Sequence, residues 1–123
     1  MRLLLDTHVL IWWDEGARLR PEAGRAIREA DQVYVSAVTG WEIAIKVALG
    51  RLHPRRTAAV AAADSGFEEL PVRLAHGEVL AELPPHHRDP FDRMLVAQAK
   101  TERLTLVTRD RALGRYGVRT LQA

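Results

Sequence analysis

Four carboxylates, Asp6, Glu42, Asp92 and Asp110, are the residues whose types and positions could do chemistry. Asp6 follows the apolar run Leu3–Leu5, and Asp110 follows the run Leu104–Thr108, so both stand just beyond segments that read as strands. Asp92 lies in the first turn of a helix opened by Asp89-Pro90, and Leu95, Val96 and Ala99 share its face at i+3, i+4 and i+7. Glu42 borders the apolar side of another helix, about one turn from Val38 and Ile45. A carboxylate beside an apolar face is costly unless it is paired or bound to a cation. Carboxylates gathered at one place repel one another and persist when a cation neutralises them. The chain has no Cys, so the donors are oxygens and the expected ion is hard, Mg²⁺ with Mn²⁺ as a substitute. Such an ion activates water and stabilises the charge of a phosphoryl group in an in-line displacement. The chemistry suggested is phosphodiester hydrolysis.

Each acid taken singly also has an ordinary use. Asp6 suits the cap of the following helix, and Glu42 stands four residues before Lys46, the spacing of a surface ion pair. Asp92 favours a helix dipole, and Asp110 suits a turn. Their joint placement carries the argument, and it depends on the elements around them. Leu3–Leu5, Val33–Val35, Phe67–Val72, Leu104–Thr108 and Val118–Leu121 read as strands, the last at a sheet edge. Helices are expected from Val9 to a stop at Gly16, from Pro21 to about Ala30, and from a Ser36 cap to a stop near Gly50. In the third of these, Val38, Trp41, Ile45, Ala48 and Leu52 form the apolar stripe. Further helices are expected over Thr57–Ala63, Leu74–Leu83 and from Pro90 through Lys100, with a short helix or turn over Asp110–Leu113. Alternating strands and helices predict one α/β domain, residues 1–123, with a mainly parallel central sheet. Ligands of such sheets gather outside the carboxyl ends of the strands, where Asp6 and Asp110 fall.

Composition narrows the class. A hydrophobic share of 47% supports a packed core, and the absence of Cys excludes disulfides, thiolate metal sites and a cysteine nucleophile. Leu3–Leu5 is too short for a signal peptide, and no apolar run approaches the length of about 18 residues that a membrane span needs. The expectation is a soluble, cytoplasmic protein without a membrane partner. Lys and Arg number 18 against 16 acids, and only Lys46 and Lys100 are lysines. The planar guanidinium suits phosphate, so the arginines are compatible with a nucleic-acid surface, although codon bias accounts better for their number.

The residues Leu3-Leu4-Leu5-Asp6-Thr7-His8, Val35-Ser36-Ala37 with Trp41-Glu42-Ile43, Asp89-Pro90-Phe91-Asp92-Arg93-Met94-Leu95-Val96-Ala97-Gln98-Ala99 and Thr108-Arg109-Asp110 together resemble the PIN-domain family. Within it the chain looks most like the VapC-type toxins of bacterial and archaeal toxin–antitoxin pairs. The resemblance spans nearly the whole chain in order. It implies a PIN-like three-layer α/β/α domain with Mg²⁺-dependent ribonuclease activity, an RNA substrate, a homodimer, and a small cognate antitoxin that holds the enzyme inactive. It also implies that Asp6, Glu42, Asp92 and Asp110 are the catalytic and metal-binding quartet, with Thr7, Ser36 and Thr108 as auxiliary hydroxyls.

Other residues carry weaker expectations. Asp89 reads as a helix cap. Arg88 and Arg93 are candidates for RNA contact, with an Arg93–Asp89 ion pair as the structural alternative. His86 and His87 read as solvated loop residues, Lys46 as a partner that orients Glu42, and Trp12 and Trp13 as core or partner-groove aromatics. A non-catalytic RNA-binding domain on the same fold is the main alternative. A phospho-acceptor receiver domain requires a Lys after a late strand, where this chain has Thr108-Arg109-Asp110. An Asp-nucleophile phosphatase needs a second Asp two residues after Asp6, and a redox fold needs a G-x-G-x-x-G loop; the chain has neither.

Overall fold

The computed structural model describes residues 1–17 and 19–123. Its strands are β1 (Arg2–Leu5), β2 (Gln32–Ser36), β3 (Glu68–Leu70), β4 (Thr105–Thr108) and β5 (Thr120–Gln122). They form one sheet in the order β3-β2-β1-β4-β5 with every pairing parallel, so the expected mainly parallel sheet is wholly so. The helices are α1 (Thr7–Asp14), α2 (Pro21–Glu29), α3 (Ala37–Ala48), α4 (Ala58–Asp64), α5 (Leu74–Glu82) and α6 (Pro90–Glu102), with a 3₁₀ turn over Arg111–Tyr116. Among the described residues, no helix is long and apolar enough to cross a membrane.

Period-two alternation divides the core between the two faces of the sheet. Leu3 and Leu5 point to one face with Val33, Val35 and Val107, and α1, α2 and α4 cover them through Val9, Leu10, Ala23, Ile27 and Ala61. Leu4 and Leu106 point to the other face, where α5 and α6 bring Leu83, Leu95, Val96 and Ala99. This is the α/β/α sandwich, and each fully buried leucine of β1 contributes about 1.5–3 kcal/mol.

Register builds the site edge. Leu5 pairs with Val35 on one side and Val107 on the other, so the next residues, Asp6, Ser36 and Thr108, stand level at the carboxyl edge of the sheet. The strand order also reverses across β1, which makes its carboxyl end the switch point where a crevice opens.

The strand and helix bounds differ from the expected ones mainly at the ends. β3 is shorter than Phe67–Val72, and the last strand begins two residues after Val118. α3 departs more. Its buried residues are Val38, Thr39, Glu42 and Ile43, whereas Trp41 is 59% exposed and Ala48 lies in solvent. Of the apolar stripe only Val38 is fully buried, because α3 also turns Thr39 and Glu42 toward the sheet edge.

Candidate active site

Asp6 is buried where β1 meets α1, and its backbone N–H donates to the Val107 carbonyl at 3.0 Å. The Thr108 hydroxyl donates to Asp6 Oδ2 at 2.6 Å and accepts the Asp110 N–H at 3.0 Å, so one threonine couples the two acids at the strand ends. Burial raises the Asp6 pKa; the Thr108 hydrogen bond and His8 offset part of that, and Glu42 adds to the rise. Asp6 is also the residue before α1, but its side chain makes no cap bond, so the capping alternative does not describe it.

The first residue of α1 reaches the next acid. Thr7 donates its hydroxyl to Glu42 Oε1 at 2.6 Å. Its single proton being used there, the 3.2 Å contact with Thr39 requires Thr39 to be the donor. Lys46 donates to Glu42 Oε2 at 2.5 Å, one turn along α3. The pair has the i,i+4 spacing of a surface bridge, yet the Glu42 side chain is 3% exposed.

Asp92 and Asp110 form the outer half of the site. Asp89 caps α6 by accepting the N–H groups of Phe91 and Asp92 at 2.8 and 3.2 Å, which fixes the first turn and with it Asp92. Asp92 is pushed up to about 7, first by burial and then by the charges of Asp6 and Asp89; His87 works against the rise, and Glu42 adds to it. Asp110 accepts the Ala112 N–H and so caps the 3₁₀ turn, the structural use its position suggested. Its other oxygen lies 2.8 Å from His87 Nε2, which is also 3.5 Å from Asp92.

His87 is the residue that the sequence reading missed. Its ring joins Asp92 and Asp110 in a trio whose donor atoms lie within 4.8 Å of one another, a spacing that a metal ion could bridge. The hydrogen bonds argue for another role. His87 Nδ1 accepts the Asp89 N–H at 3.0 Å, so the proton of the neutral ring sits on Nε2 and is donated to Asp110. In this arrangement the imidazole is a donor that orients a carboxylate. The signal for it is its place two residues before a helix cap, which lets the cap's backbone N–H set the tautomer.

The remaining candidates separate. The Ser36 hydroxyl donates to Gln98 Oε1 at 2.5 Å and accepts the Val38 N–H at 3.0 Å, so it ties the start of α3 to α6. Arg88 is exposed between His87 and Asp89, and its guanidinium makes no hydrogen bond or ion pair among the described residues. Arg93 instead donates to the Pro84 carbonyl at 3.0 Å and to the Tyr116 hydroxyl at 3.2 Å, with longer contacts to Leu80 and Leu83 at the end of α5. Its alternative partner, Asp89, is not among the ion pairs of the described residues. Trp12 and Trp13 both pack against the core, Trp13 beside Phe67 and Trp12 also under the Arg109 guanidinium with 3.9 Å to its ring centre.

The geometry therefore gathers Asp6, Glu42, Asp92 and Asp110 at one sheet edge, with Asp6 and Glu42 acting electrostatically on Asp92. Oxygen donors surrounding one raised carboxylate form an environment suited to a hard cation and phosphate chemistry.

The comparisons with known proteins agree with this fold. Ribonuclease VapC22 of Mycobacterium tuberculosis (strain ATCC 25618 / H37Rv) is 34% identical over 119 residues, spanning 90% of this chain and 88% of that protein. The DNA-bound VapBC of Salmonella typhimurium has a TM-score of 0.68 at 26% identity, covering 99% of this chain and 98% of that one. VapBC2 of Rickettsia felis, bound to a DNA fragment from its promoter, shares the fold with a TM-score of 0.70 at 12% identity, covering 99% and 98%. A family model described as the PIN domain matches residues 3–118. The chain belongs to the PIN-domain family.

Proposed function

We propose that the protein is a Mg²⁺-dependent endoribonuclease, the toxin of a type II toxin–antitoxin pair, acting through Asp6, Glu42, Asp92 and Asp110. The observation that carries this reading is the gathering of Asp6, Glu42, Asp92 and Asp110 at one sheet edge, with Asp6 tied to Asp110 through Thr108 and Asp92 and Asp110 beside His87; burial and the carboxylates of Asp6, Asp89 and Glu42 raise Asp92 to about 7. A cluster that resists its own ionisation is relieved by a divalent cation. Asp6, Glu42, Asp92 and Asp110 would hold that ion. When bound, Mg²⁺ or its substitute Mn²⁺ supplies an activated water and neutralises charge on the phosphoryl oxygens.

The protein's own groups do the rest. Thr108 holds Asp6 and the Asp110 backbone, Thr7 holds Glu42, and His87 N–H holds the Asp110 carboxylate, so three acids are fixed before substrate arrives. Ser36 acts at one remove, by locking α3 onto α6 through Gln98. Arg88, exposed beside His87, would meet RNA phosphate. Arg93 serves the same surface indirectly, by holding residues 80–84 against α6.

Support for the antitoxin comes from the relatives, whose solved structures include toxin–antitoxin complexes. It also comes from an apolar groove of about 810 Å³ between α3 and α4, lined by Ile43, Ala44, Val47, Leu52, Pro54 and Ala58. Exposed apolar surface of this kind suits a partner chain. A homodimer belongs to the same proposal, and light scattering on the purified chain tests it. For the toxin role, expression alone should arrest growth with fragmented cellular RNA. Co-expression of the cognate antitoxin should restore growth, and Asp6→Asn should abolish the arrest. Harmless expression of a folded chain that cuts RNA in vitro would remove the toxin role and leave the nuclease. Binding of RNA without cleavage would favour the non-catalytic alternative.

A further inference from the structure

Charge is unevenly spread along the chain. Residues 100–123 hold six Lys and Arg against two acids, a net of +4, whereas the whole chain is only +2. Both of those acids are engaged, Glu102 with His76 at 2.9 Å and Asp110 with His87 at 2.8 Å. Of the six cations, Arg109 lies over Trp12. The other five, Lys100, Arg103, Arg111, Arg115 and Arg119, are exposed, and none belongs to an ion pair among the described residues. Lys100, Arg103 and Arg119 line one pocket of about 380 Å³ whose lining includes no acid. It opens at the amino edge of the sheet, where β4 and β5 begin, and the four residues of β4 put it about 13 Å from the acids at the other edge. The chain returns between the two edges through the 3₁₀ turn and residues 117–119. Arg111 follows Asp110 directly, and Arg115 and Arg119 come at intervals of four along that return.

Ordinary uses account for only part of this. Lys100, in the last turn of α6, suits the helix dipole and reaches the Tyr116 carbonyl at 3.5 Å. Arg103 ends that helix with a φ of 57°, left-handed backbone in which Gly is the favoured residue. The cap uses only its backbone N–H, which donates to the Ala99 carbonyl. Arg119 stands outside any helix, and the backbone carbonyl it offers to Leu106 needs no guanidinium. Three cations around one pocket with no acid between them call for an anion. We propose that this pocket is a phosphate-binding subsite for the backbone of the substrate RNA, gripping the strand after it has run from the cleft past Arg111 and Arg115. The inference rests on the ribonuclease reading above. Four carboxylates make the cleft itself repel a polyanion, so attraction for RNA has to come from cations outside it. The guanidinium fork matches phosphate oxygens in pairs, and a strip that begins beside Asp110 is continuous with the acids.

The test measures binding of a single-stranded RNA of about 16 nucleotides, within the range of known single-strand sites, to the full chain in EDTA at several salt concentrations. Each phosphate contact on a single strand contributes about 0.7 to the fall of log K with log salt. The triple variant Lys100→Gln/Arg103→Gln/Arg119→Gln should therefore have a slope shallower by about 2, so that a fourfold rise in salt costs it about 20-fold less affinity than it costs the parent. A charge-matched control, Arg20→Gln/Arg25→Gln/Arg28→Gln on exposed positions around α2, should keep the parent's slope. Arg103→Gly puts the favoured residue into the left-handed turn, so its melting temperature should be unchanged or higher while its slope falls by about 0.7. A triple variant with the parent's slope, or an equal fall in the control, would overturn the inference. So would a parent that binds duplex DNA through these residues more tightly than the RNA, or an Arg103→Gly chain that melts lower and binds RNA like the parent. A parent that cuts no RNA with Mg²⁺ would instead sink the ribonuclease reading on which the inference rests.

Discussion

Raising the pH of the metal-free protein should unfold it more easily, and Asp92 sets the size of the effect. Its pKa stands at about 7 in the folded chain against 3.8 for an ordinary aspartate. An acid whose folded value is the higher one binds more protons folded than unfolded between the two values, so stability falls as the pH rises through that window. The full displacement corresponds to about 4 kcal/mol, of which some 2–3 kcal/mol falls between about pH 5 and pH 8. For a chain of this size each kcal/mol moves the melting temperature by about 4 °C, so the drop should be about 10 °C. Burial of Asp6, whose pKa is also raised, acts in the same direction. The assay is thermal melting by circular dichroism in EDTA at both pH values, for the parent and for Asp92→Asn. The variant should lose most of the pH dependence, and saturating Mg²⁺ should remove it from the parent, because the ion binds the ionised form. A metal-free parent that melts no lower at pH 8, or an Asp92→Asn chain with the same slope, would refute the claim that Asp92 is held protonated by burial and its neighbours.

Four further outcomes follow from the geometry. Asp6→Asn should reduce RNA cleavage by at least about a hundredfold while leaving the melting temperature of the metal-free chain unchanged or higher, since one repelling charge is gone; a much lower melting temperature would make Asp6 structural. His87→Gln keeps an N–H near the Nε2 position and should retain most activity, whereas His87→Ala should release Asp110 and weaken Mn²⁺ binding by about 10–100-fold; equal loss in both would make the imidazole a ligand. Arg88→Ala should weaken RNA binding and lower the salt dependence of log K by about 0.7 for a single strand, with metal affinity unchanged, while Arg93→Ala should lower stability by about 1–3 kcal/mol through the orphaned carbonyls and Tyr116 hydroxyl; RNA affinity that ignores Arg88 would move the substrate path elsewhere.

Much of the fold was legible because its signals are local. Leu3–Leu5 and Leu104–Thr108 are short, largely apolar runs that read as doubly covered strands, and Asp89-Pro90 announces a cap and first turn that the structure realises. The convergence of the acids followed from the same logic, since parallel register brings strand ends level. What stayed hidden depends on contacts across the chain. The packed face of α3 includes Thr39 and Glu42, which meet Thr7 from α1, and no helical periodicity reports that. His87 resembles a solvated loop residue until the Asp89 backbone turns its ring toward Asp110. Arg93 has the spacing of an ion pair with Asp89, but α5 ends within its reach and offers several carbonyls instead.

The central claim is tested most directly by incubating the purified chain with a fluorescently end-labelled single-stranded RNA, with Mg²⁺ and with excess EDTA, beside Asp92→Asn. Cleavage into discrete fragments with Mg²⁺, lost in EDTA and lost in Asp92→Asn, is the predicted result. Undiminished cleavage in EDTA, or by the folded Asp92→Asn chain, would contradict it.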